Sequence, residues 1–197
     1  RQYNNLIKNK NFIKNLILNV DSTIRFIKKG YTNSIILNYD EEAENLFKWY
    51  QQLIAESLGK KSKGLLPVIS TMPKDNHSLL QLYLDGPKKN FFTFFNSKNL
   101  ISDSLPGNSV LKQKKYLRFK KLSTIINAQK EATQRIFELK KIPFRSFEIL
   151  KKDETSLGVL FCFFVLETIL LGRALKVNPF DQPSVELIKI ETKKLLI

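Results

Sequence analysis

The sequence predicts an α/β fold: a three-layer α/β/α sandwich of flavodoxin-like type, built on a parallel sheet, with further helices at the C-terminus. One observation predicts it and two bound it. Short apolar runs alternate with long amphipathic stretches, the pattern of strand–helix–strand units. The chain has 197 residues, enough for one domain with a substantial core. A single cysteine, Cys162, excludes an internal disulfide and any cysteine cluster for metal, so packing must hold the fold.

The elements follow in order. "NNLIKNKNFIKNLILNV" reads as a helix with an apolar stripe at Leu6, Ile7, Ile13, Leu16 and Leu18. "NSIILNY", residues 33–39, is a short apolar run bounded by polar residues, expected to be a buried strand. Residues 41–57 read as a helix opened by Asp40, Glu41 and Glu42, acids that suit a helix N-terminus. "LLPVIS" (65–70) and "NFFTFFN" (90–96) read as further strands. Residues 118–141 show a long amphipathic pattern with Leu122, Ile125, Ile126, Ala132, Ile136 and Leu139 inward, stopped by Pro143. "FRSFEIL" (144–150) is the fourth strand, followed by helices at about 154–173 and 183–196. These elements group as an N-terminal helical segment (1–30), an α/β domain (31–152) and a C-terminal helical segment (153–197). Two lysine-rich loops, 57–64 and 97–117, are long enough to serve a site, since ligands in such folds bind beyond the carboxyl ends of the strands.

Composition bounds the function. There are 33 Lys plus Arg against 18 Asp plus Glu, a net charge of +15. Such an excess attracts anions of any size. Lysine, asparagine and isoleucine are all abundant, as a biased genome composition would also produce, so charge alone selects no partner. The longest apolar run, "LGVLFCFFVLETILL" (157–171), falls short of the roughly 20 residues of a membrane span and contains Glu167. A buried core helix, with Cys162 as a small apolar side chain, is the expectation, and no membrane association. No basic-then-apolar leader is visible, and a cytoplasmic, reducing setting is expected. An opening residue of Arg1 suggests a piece of a longer protein.

Three stretches could carry chemistry. In "WYQQLIAESLGK" (49–60), Gln52 and Glu56 lie four apart on one helical face, with Trp49 and Leu53 buried on another. A carboxylate near a helix end, beside a glycine turn, can project into a cleft. Read from composition, Glu56 is otherwise an ordinary solvated glutamate. In "DNHSLLQLYLDGP" (75–87), Asp75 or Asn76 can cap a helix starting beside His77, the only histidine, with Gly86-Pro87 ending it. An imidazole in the first helical turn would be held neutral by the helix dipole, able to take and give a proton. It would otherwise be an incidental helix-start histidine. In "NPFDQPSVELIK" (178–189), Pro183 suits the first helical position, and Gln182 and Lys189 are two turns apart along one face. Lys189 could serve an anionic or hydroxyl-rich ligand, and is otherwise a solvated lysine.

Together, "QQLIAESLGK", "DNHSLLQLYLDG" and "NPFDQPSVELIK" in this order resemble the C-terminal half of the glucose-6-phosphate isomerase (phosphoglucose isomerase) family. The resemblance covers nearly the whole chain and is densest over 35–96 and 157–194. It implies the second sugar-isomerase (SIS) domain plus the C-terminal segment. It implies reversible aldose–ketose isomerisation of glucose 6-phosphate to fructose 6-phosphate through a cis-enediol, in glycolysis and gluconeogenesis, with no metal or organic cofactor. Glu56 would be the base that moves a proton between C2 and C1. His77 would shuttle a proton at the ring oxygen, reaching the site from the neighbouring subunit of a homodimer. Lys189 would assist at that end of the sugar, with Gln52 and Gln182 lining the pocket.

The departures set further expectations. The family's Gly-Gly-Arg-Tyr-Ser block, whose arginine would stabilise the enediolate, is absent from these 197 residues. So is the serine- and threonine-rich phosphate cradle. The chain alone is therefore expected to be inactive. Two other readings compete. A non-catalytic SIS-domain sugar-phosphate sensor would need neither Glu56, His77 nor Lys189. A nucleic-acid-binding role would rest on "KQKKYLRFKK" (112–121), where six basic residues interleave with Tyr116, Leu117 and Phe119. The same stretch can be a solvated approach to a helix, and nucleic acid is the less favoured partner.

Overall fold

The protein is described by a computed structural model covering residues 6–98 and 114–197. Most of the expected 97–117 loop, and Lys112 and Gln113 of the basic stretch, lie outside the described residues. Four strands form one sheet: β1 (Asn33–Asn38), β2 (Leu66–Thr71), β3 (Asn90–Ser97) and β4 (Phe144–Ile149), in the order β2-β1-β3-β4. The main helices among the described residues are α1 (Lys10–Lys28), α2 (Glu44–Leu58), α3 (Leu80–Asp85), α4 (Leu122–Leu139), α5 (Glu154–Leu175) and α6 (Pro183–Leu196). The α/β class with a parallel sheet is as expected, and the order matches the first four strands of the flavodoxin-like arrangement.

Register is fixed by pairing. Strand β1 runs parallel to β3, with Ile35 opposite Phe92 and Leu37 opposite Phe94. Strand β3 runs parallel to β4, with Phe94 opposite Ser146. On the other side, the Leu66 N–H donates to Thr32 O and the Met72 N–H to Asn38 O, the constant offset that parallel pairing requires. Strands β1 and β3 are near-continuous apolar runs because both of their faces are buried. The edge strand β4 alternates instead, and none of its residues is fully buried.

The chain divides into two compact units that are not consecutive segments. One comprises Arg1–Thr32, Lys48–Pro67 and Gly158–Ile197; the other comprises Asn33–Phe47 and Val68–Leu157.

The sheet-bearing unit has a core of Ile35, Leu37, Tyr39, Met72, Tyr83, Phe92, Phe94 and Phe137, with Ile126 and Phe144 packed against it. Phe137 on α4 sits edge-on to Phe92 and Phe94, at ring separations of 4.8 and 5.3 Å. Tyr39 Oη donates to Thr133 Oγ1 at 3.2 Å, tying the end of β1 to the same helix. These contacts set the rotation of α4, so Thr133 and Phe137 are its buried residues. The inward face read from the sequence is corrected accordingly: Leu122, Ile136 and Leu139 are exposed, at 48%, 40% and 77%, and Ala132 is exposed as well. The helix has two apolar stripes, and one bulky aromatic decides between them.

The helical unit packs α1, the second part of α2 and most of α5. Phe12 meets Phe163, Trp49 meets Phe161, and Tyr50 meets Phe164 at ring separations of 5.9, 4.3 and 4.5 Å. Leu16 is the apolar residue of α1 that is fully buried, while Leu18, expected inward, is 52% exposed. On α2, Tyr50, Ile54 and Leu58 are buried, whereas Trp49 and Leu53 are only half-buried. Helix α5 runs 22 residues, longer than its apolar run suggested, and by length and composition it could cross a membrane. Its Glu167 is fully buried, and Cys162 is half-buried and free.

Candidate functional site

Helix α2 carries Glu56 on its last turn, and the glycine after it forces the chain away. A Cβ at Gly59 would stand 2.6 Å from Ala55 O, so only glycine fits that exit. The opposite wall comes from the end of α5. There the Val177 N–H donates to Gly172 O at 3.0 Å, and Lys176 takes a left-handed conformation, φ 57°. This is a Schellman-type stop with lysine where glycine is usual. Pro179 then folds back over Gly172, where an added Cβ would meet the proline ring at 3.2–3.4 Å. The turn that follows, Asn178–Asp181, is closed by its own side chains. Asn178 Oδ1 accepts the Phe180 N–H at 3.1 Å, and Asn178 Nδ2 donates to Asp181 Oδ2 at 3.0 Å.

Three of the five residues singled out from the sequence meet here, all within the helical unit. Gln52 Nε2 donates to Glu56 Oε1 at 3.0 Å, and Gln182 Nε2 donates to Glu56 Oε2 at 2.6 Å. Each carboxylate oxygen thus has one amide donor, which fixes the plane of the group. A carboxylate offers about four acceptor positions, so two remain for a substrate proton. Glu56 is half-buried, while Gln52 and Gln182 are more open, so the group is reachable from solvent.

The other two residues are not part of this cluster. Lys189 lies on α6 as expected, but its ammonium pairs with Glu186 one turn back, at 2.6 Å, and its side chain is 66% exposed. His77 belongs to the sheet-bearing unit and is not among its buried residues. Its expected place in a first α-helical turn is corrected. Lys74–Asn76 form a 3-10 turn, His77 follows it, and α3 begins only at Leu80. The cause is Asp75, whose carboxylate accepts the Thr71 N–H at 2.9 Å and the Ser78 hydroxyl at 3.0 Å. It closes a turn behind β2 instead of capping a helix.

Sequence reasoning missed Lys60. Its Nζ donates to Asn178 O at 2.5 Å and pairs with Asp181 Oδ1 at 2.8 Å, with only 10% of the side chain exposed. The Lys60 ammonium beside Asp181 holds that carboxyl below its ordinary range, against the opposing effect of desolvation and with help from the Asn178 amide. The local signal was a lysine directly after the glycine exit, but its partners are 118 and more residues away. Of the basic stretch, the described part 114–121 exposes Tyr116 and Phe119 at 69% and 73%, beside exposed lysines.

No family model matches the chain. Individual relatives do. The chain is 31% identical over 198 residues to the glucose-6-phosphate isomerase of Methanocaldococcus jannaschii, a match covering 99% of this chain and 47% of that protein. It is 33% identical to the glucose-6-phosphate isomerase of Mycoplasmopsis pulmonis, covering all of this chain and 47% of the relative. Among solved structures, a hypothetical protein from Thermus thermophilus superposes with a TM-score of 0.78 at 29% identity, over 84% of this chain and 41% of that one. The chain spans about half the length of the curated relatives it matches.

Proposed function

We propose that this chain, a relative of the glucose-6-phosphate isomerases along nearly its whole length, supplies the proton-transferring part of an aldose–ketose isomerase site. The substrates are glucose 6-phosphate and fructose 6-phosphate. Glu56 removes the C2 proton of the open-chain aldose, leaving a cis-enediolate; a proton passes from O2 to O1 by way of the cis-enediol, and the Glu56 carboxylic acid returns its proton to C1 to give the ketose. One carboxylate near both carbons suffices, and positioned proton transfer of this kind contributes about 10²–10⁴-fold. The observation that carries the proposal is the pair of glutamine amides on the two oxygens of Glu56, at 3.0 and 2.6 Å. They aim the carboxylate, each donating one hydrogen bond to one oxygen and leaving further lone pairs free.

The other roles in the proposal are less local. His77 serves ring opening on a partner subunit of a homodimer, and Lys189 assists at the ring-oxygen end of the sugar. That role requires Lys189 to leave Glu186, an exposed ion pair worth at most about 1 kcal/mol. The remaining half of the isomerase supplies the arginine and the phosphate cradle, and the chain by itself does not turn over. The experiment is Glu56→Gln in an isomerase assembled from this chain and the half that its relatives carry besides. The expected result is loss of about 10²–10⁴-fold in kcat with sugar-phosphate binding retained. Unchanged turnover would remove Glu56 as the base, whereas sugar-phosphate binding without turnover in the unsubstituted assembly would leave a non-catalytic sugar-phosphate sensor as the better account.

A further inference from the structure

The loop between α2 and β2 reaches the segment after α5 with two lysines, and one of them bears on the base. The loop is tightly wound. Gly64 has φ 108°, and a Cβ there would stand 2.7 Å from Leu58 O. Lys61 and Ser62 are also left-handed, with φ of 53° and 57°. This winding sends Lys60 and Lys63 back toward the helical unit's own C-terminal part. Lys63 Nζ donates to Leu175 O at 2.8 Å, a cation on the last carbonyl of α5, where the helix dipole favours it. Lys60 reaches three and six residues further, to Asn178 O and Asp181.

Gln182 is the next residue. It is exposed, and without support an exposed glutamine samples several rotamers, costing up to about 2 kcal/mol of side-chain entropy when ordered. Its amide nevertheless bonds Glu56 Oε2 at 2.6 Å. The end of α2 and the turn 178–182 are therefore joined by two adjacent rungs. Lys60 meets Asp181, and Glu56 meets Gln182, with four positions between the first members and one between the second. The first rung is charged, its lysine largely shielded from water; the second is exposed. Coulombic attraction strengthens as water is excluded, so the Lys60 rung sets the geometry and the Gln182 rung follows.

We infer that Lys60 is a positioning residue of the proposed isomerase: it touches neither Glu56 nor substrate, but pins the Asn178–Asp181 turn so that Gln182 meets the base. The inference rests on the isomerase reading of Glu56. Its test uses Lys60→Met, Lys60→Arg and the charge swap Lys60→Asp with Asp181→Lys in the assembled isomerase, beside Glu56→Gln. Lys60→Met is expected to lower kcat about 10-fold or more with a smaller change in KM, since slight misplacement of a catalytic group is costly. Lys60→Arg, which keeps a donor for Asn178 O and a cation for Asp181, is expected to recover most of the loss, and the charge swap, which keeps only the ion pair, to recover part of it. Asp181→Asn replaces Lys60→Met if the latter does not fold. Unchanged kcat in Lys60→Met alongside an inactive Glu56→Gln overturns the positioning role alone. Full activity in Glu56→Gln overturns the reading of Glu56 as the isomerase base. In that event, the nuclear magnetic resonance signal of the Gln182 side-chain amide decides the geometric claim: unaltered mobility in Lys60→Met sinks it.

Discussion

Gln182 donates its side-chain amide to Glu56 at 2.6 Å, joining residues 126 positions apart. The contact links the last turn of α2 to the residue before α6. Removing it by Gln182→Ala leaves Glu56 with the Gln52 amide on one oxygen. On the proposed reading of Glu56 as an isomerase base, the expected outcome in the chain assembled with its other half is a kcat lowered about 10-fold, with stability within about ±0.5 kcal/mol of the parent, because the site is on the surface. Steady-state kinetics and a denaturant titration check the two parts.

Acid should undo the Lys60–Asp181 rung. Asp181 has its carboxyl held below the ordinary value of 3.8, chiefly by Lys60. A carboxyl depressed on folding stabilises the fold above its unfolded value and loses that contribution as pH falls through the folded one. The rung is thus complete at neutral pH and lost in acid below 3.8. The side-chain amide resonances of Asn178 and Gln182 are expected to move together in that window, and to lose the transition in Asp181→Asn.

Phe137 is the fulcrum of the sheet-bearing unit. It is fully buried and edge-on to Phe92, Phe94 and Phe144. Phe137→Ala removes a ring from a packed aromatic cluster and is expected to cost about 3–5 kcal/mol. Tyr39→Phe removes only the hydroxyl that reaches Thr133 and is expected to cost about 1 kcal/mol. Urea midpoints rank the two, and equal losses would contradict the packing described.

Lys152 joins two acids of unequal burial. Its Nζ lies 2.8 Å from Asp40 Oδ1 and 2.6 Å from Glu42 Oε2, while Asp40 is 2% and Glu42 80% exposed at the side chain. Asp40 also accepts the Ser97 hydroxyl. Lys152→Met strands a buried carboxylate and is expected to cost about 3 kcal/mol. Glu42→Gln removes an exposed partner and is expected to cost under about 1 kcal/mol. Chemical denaturation of both variants gives the comparison.

The strands were legible because a run such as "NFFTFFN", apolar on both faces, has few other places to go in water. Long helices were legible by period, and their ends by Pro143 and Pro183. The facing of the helices was less legible. Helix α4 carries two apolar stripes, and nothing within it says that Phe92 and Phe94 await Phe137 rather than Ile136. His77 was misplaced for a related reason: Asp75 has the chemistry of a helix cap, but the Thr71 N–H at the end of β2 takes its carboxylate first.

By itself the sequence determined the α/β class, the four strands and the common helical face of Gln52 and Glu56, because alternation along the chain and spacing within an element carry these. Only the tertiary structure decided that Gln182 shares that carboxylate and that Lys60 meets the turn before it. Contacts across more than a hundred residues depend on how packed elements bring their ends together, and local periodicity carries no record of that.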